Sequence, residues 1–122
     1  MVSGSDRPSY RLISRGGEKQ FHTSILEWVS SAKKERGVHV KEYEGFHYLL
    51  IAAGMKPNPG YRLVIEQVRE DTVYIRELPP SEGMMTPQVV TYPYLLLRGK
   101  GSPPEVLDSI TGKQITPSGP DP

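Results

Sequence analysis

A run of eight residues near the middle of the chain most constrains the fold. Residues 46–53, FHYLLIAA, are almost wholly apolar and lie between Gly45 and Gly54. A run of this length with glycine at both ends is typical of a β-strand. A strand with one face in water alternates apolar and polar residues, whereas this run does not, so both of its faces must be covered. We therefore expect a central strand, with a helix on one face and another layer, or a partner, on the other.

The residues before this strand predict an amphipathic helix. Between residues 18 and 36, apolar side chains recur at steps of three and four residues. These side chains are Phe21, Ile25, Trp28, Val29 and Ala32. The helix dipole favours the mostly basic residues 33–36 in a last turn, and Gly37 is a typical C-terminal stop. We expect a helix at about residues 18–36 that packs on the sheet, with Trp28 in the core or at an interface.

Two further patterns predict the main antiparallel strands. Residues 61–68 alternate apolar and polar side chains, and residues 73–78 return after a charged turn, so the two should form a hairpin. Residues 88–98 should form the last major strand. Pro93 interrupts it, and because proline cannot donate a hydrogen bond to a neighbouring strand, this strand should lie at an edge or carry a bulge.

Shorter elements complete the predicted fold. Residues 10–14 and 38–41 are expected to be short strands, the second an edge strand or connector, and residues 106–115 a small hairpin around Thr111-Gly112. The fold class is therefore α+β, a mainly antiparallel sheet arranged as a sandwich-like barrel with one N-terminal helix at about residues 18–36.

Length and composition indicate one domain with irregular ends. The chain has 122 residues, the usual size of a single domain. Twelve glycines and twelve prolines indicate many turns. We expect disorder at residues 1–8 and 117–122, and one domain over residues 9–116.

The residues that usually carry chemistry are missing or scattered. There is no cysteine, which excludes disulfides, thiolate nucleophiles and cysteine-based metal sites. His22, His39 and His47 have no metal-binding spacing, and no phosphate-binding glycine loop or nucleophile motif is present. We therefore expect a protein that is not an enzyme and that has no metal and no cofactor.

Charge and hydropathy exclude two classes of partner. The net charge is +1, so the electrostatics do not favour binding of nucleic acid. The mostly basic residues 33–36 are most simply explained as a solvated helix end. No apolar run approaches the roughly 18 residues of a membrane helix. A protein partner remains.

Two segments carry a resemblance to a known family. The first is Gly54-x-Lys56-Pro57-x-x-Gly60-Tyr61, directly after the apolar strand, and the second is the segment 85–94, MTPQVVTYPY. Over about residues 38–100 the chain resembles the C-terminal domain of the protease complex subunit PrcB family. That family usually has Thr-Gly-Gly-Tyr where this chain has Asn58-Pro59-Gly60-Tyr61, a departure that stiffens the loop.

The resemblance implies a function in protein binding. The family is linked to accessory subunits that bind and stabilise a partner protease, so a protease is the expected partner. Some of the relatives that it implies are exported or lipid-anchored. The compartment is left open. Since MVSGSDRPS lacks the features of a secretory signal, a cytoplasmic protein is expected from the sequence as it stands, and an exported one if a signal has been removed.

The expected binding surface consists of two proline-containing loops at one end of the sheet. Loops that are already stiff lose little entropy on binding, while methionine and tyrosine suit interfaces. The predicted partner-binding residues are Lys56, Pro57, Asn58, Pro59, Gly60, Tyr61, Met84, Met85, Tyr92 and Pro93.

Three alternatives remain open at this stage. The loop at residues 54–60 could be a rigid connection with no other role. The protein could be a structural homo-oligomer, such as a homodimer, that pairs through the edge of strand 88–98. A small ligand could bind between the helix and the sheet, although no cluster of polar residues indicates one.

Overall fold

Two β-sheets and one α-helix make up the part of the chain that the computed structural model describes, residues 10–13 and 17–115. The predictions of disorder at residues 1–8 and 117–122 lie outside these ranges, as does the predicted end of the first strand at Ser14. The helix is α1 (Thr23–Ala32), and a 3₁₀ turn, Gly17–Gln20, precedes it. The strands are β1 (Arg11–Leu12), β2 (Gly37–Tyr43), β3 (Phe46–Ala52), β4 (Arg62–Arg69), β5 (Thr72–Leu78), β6 (Tyr94–Gly99) and β7 (Glu105–Asp108).

The strands form a sandwich of two sheets. The first sheet has the order β1-β6-β3-β2 and is antiparallel throughout, and the second has the order β4-β5-β7. The predicted hairpin is confirmed as β4 and β5, which turn at Glu70-Asp71, whereas β5 and β7 pair in parallel. The α+β class is thus confirmed. The sandwich-like barrel needs correction, because the two sheets do not close into a barrel.

The apolar run is the central strand, as predicted. β3 pairs with β2 on one side and with β6 on the other. Leu49 and Ile51 point into a core shared with the second sheet, while Tyr48 and Leu50 pack in a second core under α1. Successive side chains of a strand point to opposite faces, so a strand between two layers needs apolar residues at every position.

The helix is shorter than its sequence pattern suggests. His22 is the N-cap residue, and its Nδ1 accepts a hydrogen bond of 3.0 Å from the amide of Ser24. The helix ends at Ala32, so residues 33–36 follow it instead of forming its last turn, and Gly37 belongs to β2 and does not stop the helix. The predicted bounds of 18–36 were therefore wrong at both ends. The apolar positions do face the core, since Ile25, Val29 and Ala32 are buried.

The last major strand differs from its prediction. β6 begins at Tyr94, six residues later than expected, because Pro93 lies immediately before it and cannot donate to a ladder. It is not an edge strand, since it lies between β1 and β3. Where β1 and β3 flank it, β6 has no free edge for the homo-oligomeric pairing that was predicted through strand 88–98, and the homodimer itself stays a prediction.

Two smaller predictions are refined by the structure. The edge position expected for residues 38–41 is confirmed, because β2 is the last strand of its sheet. The hairpin at residues 106–115 is reduced to β7 and a single antiparallel bridge between Leu107 and Gln114. Trp28 is half-buried against the core under α1. Within the described ranges, neither helical segment has the length and apolarity that crossing a membrane requires.

Candidate partner-binding rim

Two loops meet at the end of the sandwich where β3 leaves the core. The amide of Lys56 donates to the carbonyl of Thr91 at 2.8 Å, and the amide of Thr91 donates to the carbonyl of Lys56 at 2.9 Å. The amide of Ala53 donates to the carbonyl of Pro93 at 3.0 Å. The structure thus brings residues 54–61 against residues 91–93. We call residues 54–61 and 84–93 the rim.

Local hydrogen bonds hold the first loop of the rim in shape. The side chain of Asn58 accepts a bond of 2.9 Å from the amide of Gly60, which closes a tight turn. The hydroxyl of Thr91 donates to the carbonyl of Asn58 at 3.0 Å, which ties the second loop to this turn. Pro57 and Pro59 fix their own φ angles. The loop is stiff because its sequence leaves few conformations and its bonds select one of them.

Close packing explains the glycine at position 60. A Cβ atom there would lie 2.8 Å from the Cβ of Pro80 and 2.9 Å from its Cγ, distances that real contacts essentially never show. The start of the loop after β5 therefore presses against the turn at Asn58. A side chain at Gly60 would push these two segments apart.

A three-residue ion network lies behind the rim. Arg36 Nη1 is 3.1 Å from Glu77 Oε1, and Lys56 Nζ is paired with Glu77 Oε2. Arg36 Nη1 also donates to the carbonyl of Ala53 at 3.1 Å. The three side chains are half-buried, with 19–27% of each exposed. Lys56, one of the predicted partner-binding residues, thus has its charge matched within the molecule.

The same network sets the ionisation of Glu77. Burial alone would raise the pKa of this carboxyl group, but the hydrogen bonds and positive charges of Lys56 and Arg36 outweigh it and lower the pKa below its ordinary value. Glu77 is therefore ionised at neutral pH and holds two cations from different parts of the chain. It connects the first loop to β5 and to the segment after α1.

The aromatic residues of the rim line a groove. Pro59, Tyr61, Tyr92 and Pro93 border a space of about 470 Å³ between the start of β4 and the start of β6. The ammonium group of Lys56 lies 5.5 Å from the centre of the Tyr61 ring, a cation–π distance. Both tyrosines are half-buried, and both are lining residues of the groove.

The outer part of the rim is apolar and exposed. Met84 and Met85 have 50% and 95% of their surface in water, and the amide of Met84 bonds to the carbonyl of Ser81 in a turn. Their position near Tyr61 was predicted, but the observed bonds tie only the last part of their loop to residues 54–61. Met55, Val89 and Val90 are also at least half exposed.

Sequence reasoning missed several residues that shape the rim. Arg36 and Glu77 lie 41 positions apart and have no local pattern that pairs them. Thr91 lay inside the second family-like segment, but nothing in the sequence showed that it would bond to Lys56 and Asn58. The exposure of Met55 could have been suspected, since it lies between the end of β3 and the turn that contains Pro57 and Pro59.

Comparison with known proteins supports the resemblance. Residues 47–98 match the family model described as PrcB C-terminal. This range holds β4, β5, nearly all of β3 and β6, and the whole rim, whereas β1, α1, β2 and β7 lie outside it. Neither a curated protein nor a solved structure matches the chain.

Proposed function

Since residues 47–98 are similar to the PrcB C-terminal family, we propose that this chain is a noncatalytic module that docks a protein partner on its rim. At the level of the family, the match suggests an accessory role beside a protease. The favoured partner is therefore a protease, which the module would hold in its folded form. Binding that favours the folded partner stabilises it by about 2.7 kcal/mol at a hundred times the Kd.

The distribution of exposed apolar side chains carries this proposal. Ten large apolar residues are substantially exposed in the described part of the chain, and half of them belong to the rim. These five are Met55, Met84, Met85, Val89 and Val90. Scattered exposed apolar residues are normal, but a concentration of them in two loops indicates a contact surface. Methionine adapts well to the shape of a partner.

The stiffness of the first loop supports the same conclusion. Residues 56, 58 and 60 are held by backbone and side-chain bonds to Thr91 and to each other. A surface that is already ordered loses less entropy when it binds. The alternative of a rigid connection with no other role explains the stiffness but not the exposed apolar side chains beside it.

The ionisation of the carboxyl groups supports a noncatalytic role. Among the described residues, the carboxyl groups with a shifted pKa are Glu66 and Glu77, and in both the pKa is lowered. In Glu66 the first cause is a hydrogen bond from Ser109 and the second is one from Arg76. A general acid or base works best with a pKa near the working pH, and these shifts lead away from it.

Capture of the partner from the native host tests the proposal. The tagged protein is compared with the Met85→Asp and Val90→Asp variants, and bound proteins are identified by mass spectrometry. A charge on the exposed apolar surface should abolish capture of a specific partner while the thermal unfolding temperature stays unchanged. The matched control is Ile110→Asp, because Ile110 is 71% exposed but lies in the turn after β7.

The outcomes separate clearly. Loss of the same partner in both rim variants, with capture intact in Ile110→Asp, supports docking on the rim. Equal capture by the wild type and both rim variants would refute it. Once the partner has been purified, its unfolding temperature should rise with wild-type protein and not with Val90→Asp.

A further inference from the structure

The outer edge of β4 faces the groove behind the rim. In the described part of the chain, β4 pairs with β5 alone, so its other edge carries backbone groups that no neighbouring strand binds. Residues 61–64 line one wall of the groove, and residues 94–96 of β6 line the opposite wall. The groove is therefore the opening at which the two sheets fail to close into a barrel.

The wall formed by β6 is only partly covered by β1. The register pairs Leu12 with Leu97, and the amide of Ile13 donates to the carbonyl of Leu96 at 2.8 Å. Leu12 and Ile13 also line the groove. The groove therefore runs beside β4, with parts of β6 and β1 opposite it.

The first half of β4 is suited to accept a strand. A β-bulge lies between Ile65 and Gln67, and bulges bend an edge away from further pairing. The residues before the bulge, 62–65, contain no proline and no inward-pointing charge. The outer edge of β7 is different, because Leu107 is already bridged to Gln114.

The side chains of the groove indicate the chemistry of the segment that it would bind. Of the described residues that line it, Arg62 alone is charged, and its side chain is exposed. With no carboxylate among the described residues of the walls, the groove complements an acidic segment, while Tyr61 and Tyr92 offer apolar contact.

We propose that the groove binds an extended acidic segment of the partner protein, which adds to β4 as a fourth strand of the second sheet. The main-chain bonds would come from residues 62–65, and Arg62 would pair with an aspartate or glutamate of the segment. This inference rests on the proposed docking function and names the element by which the partner is held.

A random peptide library tests the inference without requiring the partner itself. Decapeptides displayed on phage are selected on the folded chain of 122 residues. Selected peptides should carry an acidic residue with apolar residues at alternate positions. A synthetic copy at saturation should slow amide hydrogen exchange in β4 residues 62–65 by about tenfold or more. Methylation of alternate peptide amides should abolish binding, because it removes the donors.

A charge exchange isolates the role of Arg62. Arg62→Glu should weaken binding on the order of tenfold, and a peptide with lysine in place of its acidic residue should regain it. The control is Arg69→Glu, on the same strand beyond the bulge, which should bind as the wild type does. Thermal unfolding of both variants verifies that they are folded. The methylated peptide is tested on the wild-type chain, so that result does not depend on whether a variant folds.

The results distinguish this inference from the docking function. The inference is overturned if no peptide is selected, if exchange in β4 does not change, or if Arg62→Glu and Arg69→Glu bind alike. If in addition the Val90→Asp variant still loses its host partner, the rim docks the partner by another contact and only the strand addition fails. If Val90→Asp captures the partner normally, the docking function itself fails.

Discussion

Replacement of Glu77 by glutamine should destabilise the protein by about 2 kcal/mol at pH 7. Glu77 accepts charge-assisted hydrogen bonds from Arg36 and Lys56, and its side chain is 27% exposed. Loss of one partner from a fully buried ion pair costs roughly 3–5 kcal/mol, and partial exposure to water reduces this figure. Glutamine keeps the shape but leaves two half-buried cations without their counter-charge.

The pH dependence gives this prediction its sharpest test. The pKa of Glu77 is lower in the folded protein than its ordinary value of about 4.3, so the stability that it contributes is present above that value. This contribution is lost as the pH falls through the lower, folded pKa. The difference in free energy of unfolding between wild type and Glu77→Gln should therefore shrink towards zero in strong acid.

Urea unfolding of both proteins at pH 7 and at about pH 2.5 measures this difference. Glu66 also has a lowered pKa, but it titrates in both proteins and cancels from the comparison. Glu82→Gln, in the exposed loop after β5, serves as the control and should have no effect. A difference that is the same at both pH values, or is below about 0.5 kcal/mol at pH 7, would show that the network does not stabilise the fold.

Three further predictions follow from the packing. Gly60→Ala should lower the free energy of unfolding by about 1–3 kcal/mol, because the new methyl group would clash with Pro80. Adding Pro80→Gly should restore part of this stability. If the effects of the two substitutions in urea unfolding are simply additive, the residues do not interact. Leu50→Ala should cost about 2–5 kcal/mol since Leu50 is fully buried, and a loss below about 1 kcal/mol would contradict a two-sided core. Thr91→Val removes the hydroxyl that bonds to the carbonyl of Asn58, so it should lower the free energy of unfolding by about 1 kcal/mol and speed amide hydrogen exchange at residue 56. Unchanged exchange would mean that the two loops are not coupled.

Most of the helix and strand segments were predictable from the sequence, whereas several of the contacts between them were not. Continuous apolar character placed β3 between two layers, and alternation around a charged turn identified the hairpin of β4 and β5. The ends of α1 were misjudged because the basic residues after Ala32 continue a helical composition. Arg36 lies outside the helix and contacts Glu77, and the spacing of residues along the sequence does not predict this contact.

The rim shows the same division. The stiffness of residues 54–60 was predictable from Pro57 and Pro59, which restrict the chain wherever it lies. The exposure of Met84 and Met85 agreed with a loop rich in polar and small residues. The bond between Lys56 and Thr91, by contrast, joins segments 35 residues apart, and only the position of both strands in the sandwich brings them together.

The amino-acid sequence by itself determined where most of the strands lie, which faces are apolar and where the chain is stiff, because these depend on side-chain period and backbone restriction within a few residues. Only the tertiary structure decided that β6 is an inner strand, that β5 and β7 run in parallel and that the sandwich stays open beside β4. Which strands become neighbours depends on how all the layers pack together, and the residues of a single segment do not contain that information.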